Sequence, residues 1–142
     1  MAAMALAKVK RLFVTRVKGG VPNSVDSVEV TAEGVKGDYH AGITSDRHIL
    51  IQSESVMTEL DLDPGDLFEN MLVEELDVMS LHGGVRIQVG NAVIEVTIEC
   101  EPCARMESVR LGLRKASLGK RGKFARVVQP GRFSVGDTIA LI

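Results

Sequence analysis

Short apolar runs rich in β-branched residues alternate along this chain with glycine-centred breaks. V-D-S-V-E-V-T puts Val25, Ser27, Glu29 and Thr31 on one face and Asp26, Val28 and Val30 on the other, the period of a strand. H-I-L-I-Q at 48–52 is short and apolar, which predicts a buried strand. The clearest element is V-R-I-Q-V-G-N-A-V-I-E-V-T-I at 85–98. Its two β-rich runs flank Gly90-Asn91, a pair suited to a tight hairpin turn because glycine accepts positive φ. F-A-R-V-V-Q, the turn signal Pro130-Gly131 and R-F-S-V-G-D-T-I-A-L-I read as closing strands.

Helical signals are fewer. Ser53 before E-S-V-M-T-E-L predicts a short capped helix, broken by Pro64-Gly65. After Cys103, Met106, Val109 and Leu113 recur at helical spacing with Arg110 and Arg114 on another face; Gly112 weakens that helix, and Gly119 and Gly122 end it. Many short strands with two or three short helices, without repeats or linkers, predict a single mainly β domain over residues 1–142. Its architecture should be a mostly antiparallel barrel or sandwich.

Composition narrows the function classes. A chain of 142 residues buries a real core without disulfide or metal staples. A net charge of −2, four Phe, one Tyr and no Trp argue against nucleic-acid binding, which needs cations and stacking platforms. M-A-A-M-A-L-A-K-V-K has too short an apolar run for a signal peptide, and no stretch approaches the ~20 apolar residues of a membrane span. Two cysteines without an export signal predict the reducing cytoplasm, with no membrane partner. The charge is uneven. Arg105 to Arg126 holds eight basic residues and one acid, whereas Asp46 to Asp77 holds ten acids against Arg47 alone. The basic segment either attracts an anionic ligand or is a solvated face.

Both cysteines lie in T-I-E-C-E-P-C-A-R-M at 97–106. Period-2 alternation puts Cys100 in one row with Ala92, Ile94, Val96 and Ile98, so it reads as a small core hydrophobe. Pro102 breaks the strand, and Cys103 follows at the mouth of the next helix, where backbone N–H groups and Arg105 would favour a thiolate. Glu99 and Glu101 act in the opposite sense. A C-x-x-C dithiol is the rival reading, but the β-α-β context of a thioredoxin-like site is missing. A closed zinc site needs four ligands, and His40, His48 and His82 lack metal spacing. One working thiol at Cys103 is the leading reading.

Several motifs occur in an order that resembles the MOSC family, the domain at the C-terminus of molybdenum-cofactor sulfurases that also occurs as free-standing bacterial proteins. They are V-K-G-G-V-P at 17–22, V-K-G-D-Y-H-A-G at 35–42, R-H-I-L-I-Q at 47–52, P-G-D-L-F-E-N at 64–70, the Gly90-Asn91 hairpin, E-P-C at 101–103, G-K-F-A-R-V at 122–127 and G-R-F-S-V-G-D at 131–137. The resemblance implies a β-barrel-like fold and one working cysteine, which matches Cys103. It implies that this cysteine carries sulfur as a persulfide or ligates molybdenum in a bound molybdopterin, the molybdenum cofactor. The protein would then be a sulfur transferase or a component of a cofactor-dependent reductase of N-hydroxylated compounds.

For such a cofactor, Lys18 beside Gly19-Gly20, Arg47, His48, Asn70 and Arg126 are the candidate binding residues, because an anionic phosphate and a pterin need cations, amides and close backbone approach. Asp38 and His40 brace a loop or transfer protons. Longer cofactor-binding relatives carry an arginine where this chain has Phe68, and an extra N-terminal β region for which this chain has no room. Sulfurase fusions also contain a pyridoxal-phosphate domain; no pyridoxal-phosphate site is seen in this chain. Sulfur would therefore come from a separate cysteine desulfurase and go to a molybdoenzyme or metal–sulfur cluster protein. A non-catalytic binding module and a Cys100/Cys103 dithiol redox protein stay open beside these readings.

Overall fold

The computed structural model describes residues 6–142; the M-A-A-M-A start of the chain lies outside them. The apolar runs form strands β1 (Lys8–Val14), β2 (Asn23–Val25), β3 (Ser27–Thr31), β4 (Gly34–Val35), β5 (Ile49–Ser53) and β6 (Met71–Glu74). They continue as β7 (Arg86–Val89), β8 (Ala92–Glu99), β9 (Lys123–Gln129), β10 (Gly131–Ser134) and β11 (Ile139–Leu141). Three short helices, α1 (Glu54–Glu59), α2 (Met106–Val109) and α3 (Leu113–Ala116), lie between them.

Eight strands make one sheet in the order β11-β7-β8-β9-β5-β6-β1-β2, and β10-β3-β4 make a second. All pairings are antiparallel except β5 with β6, which run parallel across the α1 crossover. The large sheet curls but does not close into a barrel. The β11 end meets the start of β1 through an isolated bridge between Lys8 and Thr138, backed by Val9 N–H donating to the Asp137 carbonyl at 2.9 Å, Gly136 N–H to the Val9 carbonyl at 2.8 Å and Ile139 N–H to the Ala7 carbonyl at 2.8 Å. The closing strands also part company: β11 pairs with β7, while β10 leaves for β3.

The hairpin forms as the pattern predicts, with Val89 opposite Ala92 and Gly90 at φ 57°. Gly90 is required twice over, because a Cβ there would also lie 2.2 Å from the Arg132 carbonyl oxygen. β5 is buried at every position. V-D-S-V-E-V-T splits at Asp26 into β2 and β3, and Val28 and Val30 face the core as the alternation requires. α1 forms where expected, but Ser53 does not cap it. Its hydroxyl donates to the Leu76 carbonyl and accepts from Val78 N–H, fastening the start of α1 to the segment after β6 instead.

The predicted helix after Cys103 is two helices, α2 and α3, separated at Gly112 with φ 86°. Met106 and Leu113 still bury on the side the spacing indicated and join Met57, Leu67 and Leu72 in a small satellite core. This packing holds the segment that carries Cys103 against α1 and β6.

Candidate functional site, a thiol cleft at the end of β8

The alternation of β8 holds through Ala92, Ile94 and Val96, all buried. It then fails. Val96 pairs with Ala125 but Glu99 pairs with Lys123, so β8 spends one residue more than β9 over the same span. This bulge turns Ile98 outward, 37% exposed, and brings Cys100 out of the core row to a half-buried position. The expectation that Cys100 is a core hydrophobe is therefore corrected. Cys100 N–H donates to the Gly122 carbonyl at 2.9 Å, and Gly122 sits so close to β5 that a Cβ would lie 2.7 Å from the Ile51 carbonyl oxygen.

Pro102 then carries the chain away, and Cys103 is exposed. It precedes α2 rather than opening it: its carbonyl accepts Met106 N–H at 3.0 Å, and α2 spans only four residues. A helix that short contributes little dipole, so the charges near Cys103 are those of side chains. Arg47 supplies one. Its turn is tied to β8 by Thr97 Oγ1 donating to the Asp46 carbonyl, and His48 N–H donates to the Ala125 carbonyl at 3.1 Å. The Arg47 guanidinium lies 5.6 Å from the Phe124 ring centre.

Arg47, Phe124, Ile98, Pro102 and both cysteines line one open cleft of about 720 Å³. Glu99 and Glu101 complete its wall. A second groove, about 660 Å³ on the other side of Pro102, is lined by Glu107, Arg114 and Lys115 and contains no thiol. Burial pushes the Cys100 thiol up from its ordinary value, with the Arg121 charge drawing it partly back.

Arg105 organises the side of the cleft beyond Cys103. Its guanidinium lies 3.5 Å from the Phe68 ring centre and donates to the Gly20 carbonyl at 3.1 Å. It also bears on Tyr39, whose phenol burial pushes up while Arg105 pulls it down. The Gly20 contact ties the V-K-G-G turn, closed by Gly20 N–H on the Val17 carbonyl, to the segment after Cys103. Lys18 is exposed on that turn and does not line the cleft.

Of the five expected cofactor-binding residues, only Arg47 lines the cleft. His48 is buried, and its Nδ1 accepts Val127 N–H at 3.3 Å; burial pushes its pKa down, as for a neutral core histidine. Asn70 is buried as a brace. Its Oδ1 accepts Leu50 N–H at 2.9 Å, and its Nδ2 donates to the Phe13 carbonyl and to Asp38 Oδ1. Arg126 donates from Nε to Glu95 Oε2 at 2.7 Å, in a pair shared with Arg86.

Asp38 joins Asn70 in a buried polar knot. Its carboxylate accepts Thr15 N–H at 2.8 Å, His40 N–H at 3.1 Å and the His40 ring Nδ1 at 2.9 Å. Burial pushes this carboxyl up, but the bonds from His40 and Thr15 outweigh it and the net shift is downward. The His40 ring lies between Tyr39, at 3.9 Å, and Phe124, at 6.2 Å, behind the cleft wall. Two buried charges escaped the sequence reading. Arg121 is 5% exposed with Nε and Nη1 unpartnered, and Glu69, 1% exposed, bonds only Gly65 N–H while Oε1 is free. Nothing in K-R-G-K or F-E-N distinguishes those charges from surface ones.

These features define a mainly β domain with an exposed thiol in an open cleft bordered by Arg47, Glu99 and Glu101. Solved structures share the fold: YuaD protein from Bacillus subtilis is 24% identical with a TM-score of 0.84, covering 98% of this chain and 97% of that one. YiiM from Geobacillus stearothermophilus is 19% identical with a TM-score of 0.80 (96% and 75% covered), and YiiM from Escherichia coli is 21% identical with a TM-score of 0.73 (95% and 69% covered). No curated protein matches the chain. The family model of the MOSC domain matches residues 38–140, and the chain belongs to that family, which is associated with molybdenum-cofactor binding and sulfurase-like function. Among the described residues, no helix is long and apolar enough to cross a membrane.

Proposed function

We propose that this MOSC-domain protein is a sulfur carrier working through Cys103. The observation that supports it is an exposed thiol on an open cleft with Arg47 beside it. The Cys103 thiolate attacks the terminal sulfur of a donor persulfide. A Cys103 persulfide forms, and the donor leaves as its thiolate. Arg47 offers the donor persulfide a cation on the cleft wall it shares with the carboxylates of Glu99 and Glu101, and the open geometry admits a second protein on delivery. A cysteine desulfurase fits the donor role and a molybdoenzyme or metal–sulfur cluster protein the acceptor role, since the carrier itself only moves the sulfur.

Family membership and the soft thiolate favour a second reading, in which Cys103 ligates the molybdenum of a bound cofactor and the protein serves an N-hydroxyl reductase. The cleft fits the metal end of that group: Cys103 would hold molybdenum, and Arg47 an anionic part. Once bound, the group would supply two-electron chemistry. The pterin end fits less well, because His48 and Asn70 spend their polar atoms inside the fold and Arg126 is paired with Glu95 outside the cleft. Two measurements separate the readings. Sulfur carriage gives an added sulfur on Cys103 after incubation with a cysteine desulfurase and cysteine. Cofactor ligation gives molybdenum and pterin fluorescence in protein made in a molybdopterin-competent host, both lost in Cys103→Ala.

A further inference from the structure

The bulge in β8 puts Cys100 on the wall of the same cleft as Cys103, with Glu101 and Pro102 between them. Both thiols are free, and they are the only cysteines in the chain. They differ in access: Cys103 is exposed and Cys100 half-buried. A donor arriving from solution therefore meets Cys103 first. The other polar side chains on the cleft are Arg47, Glu99 and Glu101, and neither a guanidinium nor a carboxylate can reduce sulfane sulfur. Pro102 restricts the backbone between the thiols, which limits the conformations through which they approach.

We infer that Cys100 is the resolving thiol for sulfur held at Cys103. This rests on the sulfur-carrier reading above and adds the way in which the sulfur is released. Cys100 gives up its proton to solvent, and its thiolate attacks the inner sulfur, Sγ of Cys103. A Cys100–Cys103 disulfide bond forms, the bond between Cys103 Sγ and the carried sulfur breaks, and that sulfur leaves as hydrosulfide. The sulfane sulfur gains two electrons and the two cysteine thiols lose them. An external dithiol or low-molecular-weight thiol then reduces the disulfide and resets the pair. Burial, which keeps Cys100 protonated more than an exposed thiol, delays this step, so a loaded Cys103 has time to meet an acceptor.

Reduced full-length protein, loaded with inorganic polysulfide and desalted, tests the inference by intact mass and hydrosulfide release over time without added thiol. Wild type is expected to pass from one added sulfur to a disulfide, releasing one hydrosulfide per chain. Cys100→Ser, with Cys100→Ala as a second variant checked by thermal melting, should keep the added sulfur and release hydrosulfide at least about 100-fold more slowly, because the intramolecular attack is lost. Wild type that holds its sulfur as long as the Cys100 variants would overturn the resolving role and leave the carrier reading standing. Cys100 variants that take up no sulfur at Cys103 would sink the carrier reading itself.

Discussion

The Arg105 guanidinium lies 3.5 Å from the centre of the Phe68 ring, and the same group donates to the Gly20 carbonyl. One side chain, two residues after the working thiol, thus fastens the V-K-G-G turn and the loop before β6 to the Cys103 segment. Arg105→Ala is expected to cost about 1–2 kcal/mol of stability, from the lost cation–π contact and a hydrogen bond to backbone. Hydrogen exchange should rise at residues 17–20 while the β7–β8 hairpin stays protected. Unchanged exchange in the V-K-G-G turn would show that Arg105 does not hold it.

Arg47 is the one expected cation that reaches the cleft. Arg47→Glu should slow alkylation of Cys103 by anionic iodoacetate several-fold more than by neutral iodoacetamide. The difference should shrink in high salt as the field is screened. Equal effects on both reagents would mean that Arg47 acts by packing on Phe124 rather than by charge.

Acid should weaken the fold in two stages. His48 is held below its ordinary value of 6.5 by burial, so the unfolded chain binds its proton first, and stability is full above that pH and lost as pH falls through it. Asp38 is held below its ordinary 3.8, against the upward push of burial, by bonds from His40 and Thr15. Its contribution is present above that value and lost on further acidification. His48→Gln should flatten the first stage of a melting-temperature profile and leave the second.

Asp38→Asn replaces an acceptor of several buried bonds with a group that must donate on one side. It is expected to cost about 2–4 kcal/mol. Chemical denaturation measures this directly, and a loss below ~0.5 kcal/mol would contradict the buried knot of Asp38, Asn70 and Thr15.

Local chemistry made much of the fold legible. The Gly90-Asn91 hairpin, the buried β5 and the inward Val28 and Val30 follow from period and turn residues alone. The exposed thiol at Cys103 followed from Pro102 breaking a strand. What stayed hidden depends on partners far along the chain. The β8 bulge is set by pairing with β9, so the alternation that sent Cys100 to the core could not register it. Asn70 and His48 look like ligands because they are polar beside apolar strands. Only the fold shows that Phe13, Leu50 and Val127 take up their hydrogen bonds. The incomplete closure between β11 and β1 is likewise a matter of assembly.

Site-resolved mass spectrometry after incubation with a cysteine desulfurase and cysteine tests the central claim most directly. The account predicts one added sulfur on the peptide containing Cys103, absent in Cys103→Ala, a variant whose melting temperature should hardly change because the thiol is exposed. Cys100→Ser protein that gains no sulfur, or a Cys103→Ala variant that gains as much as wild type, would contradict it.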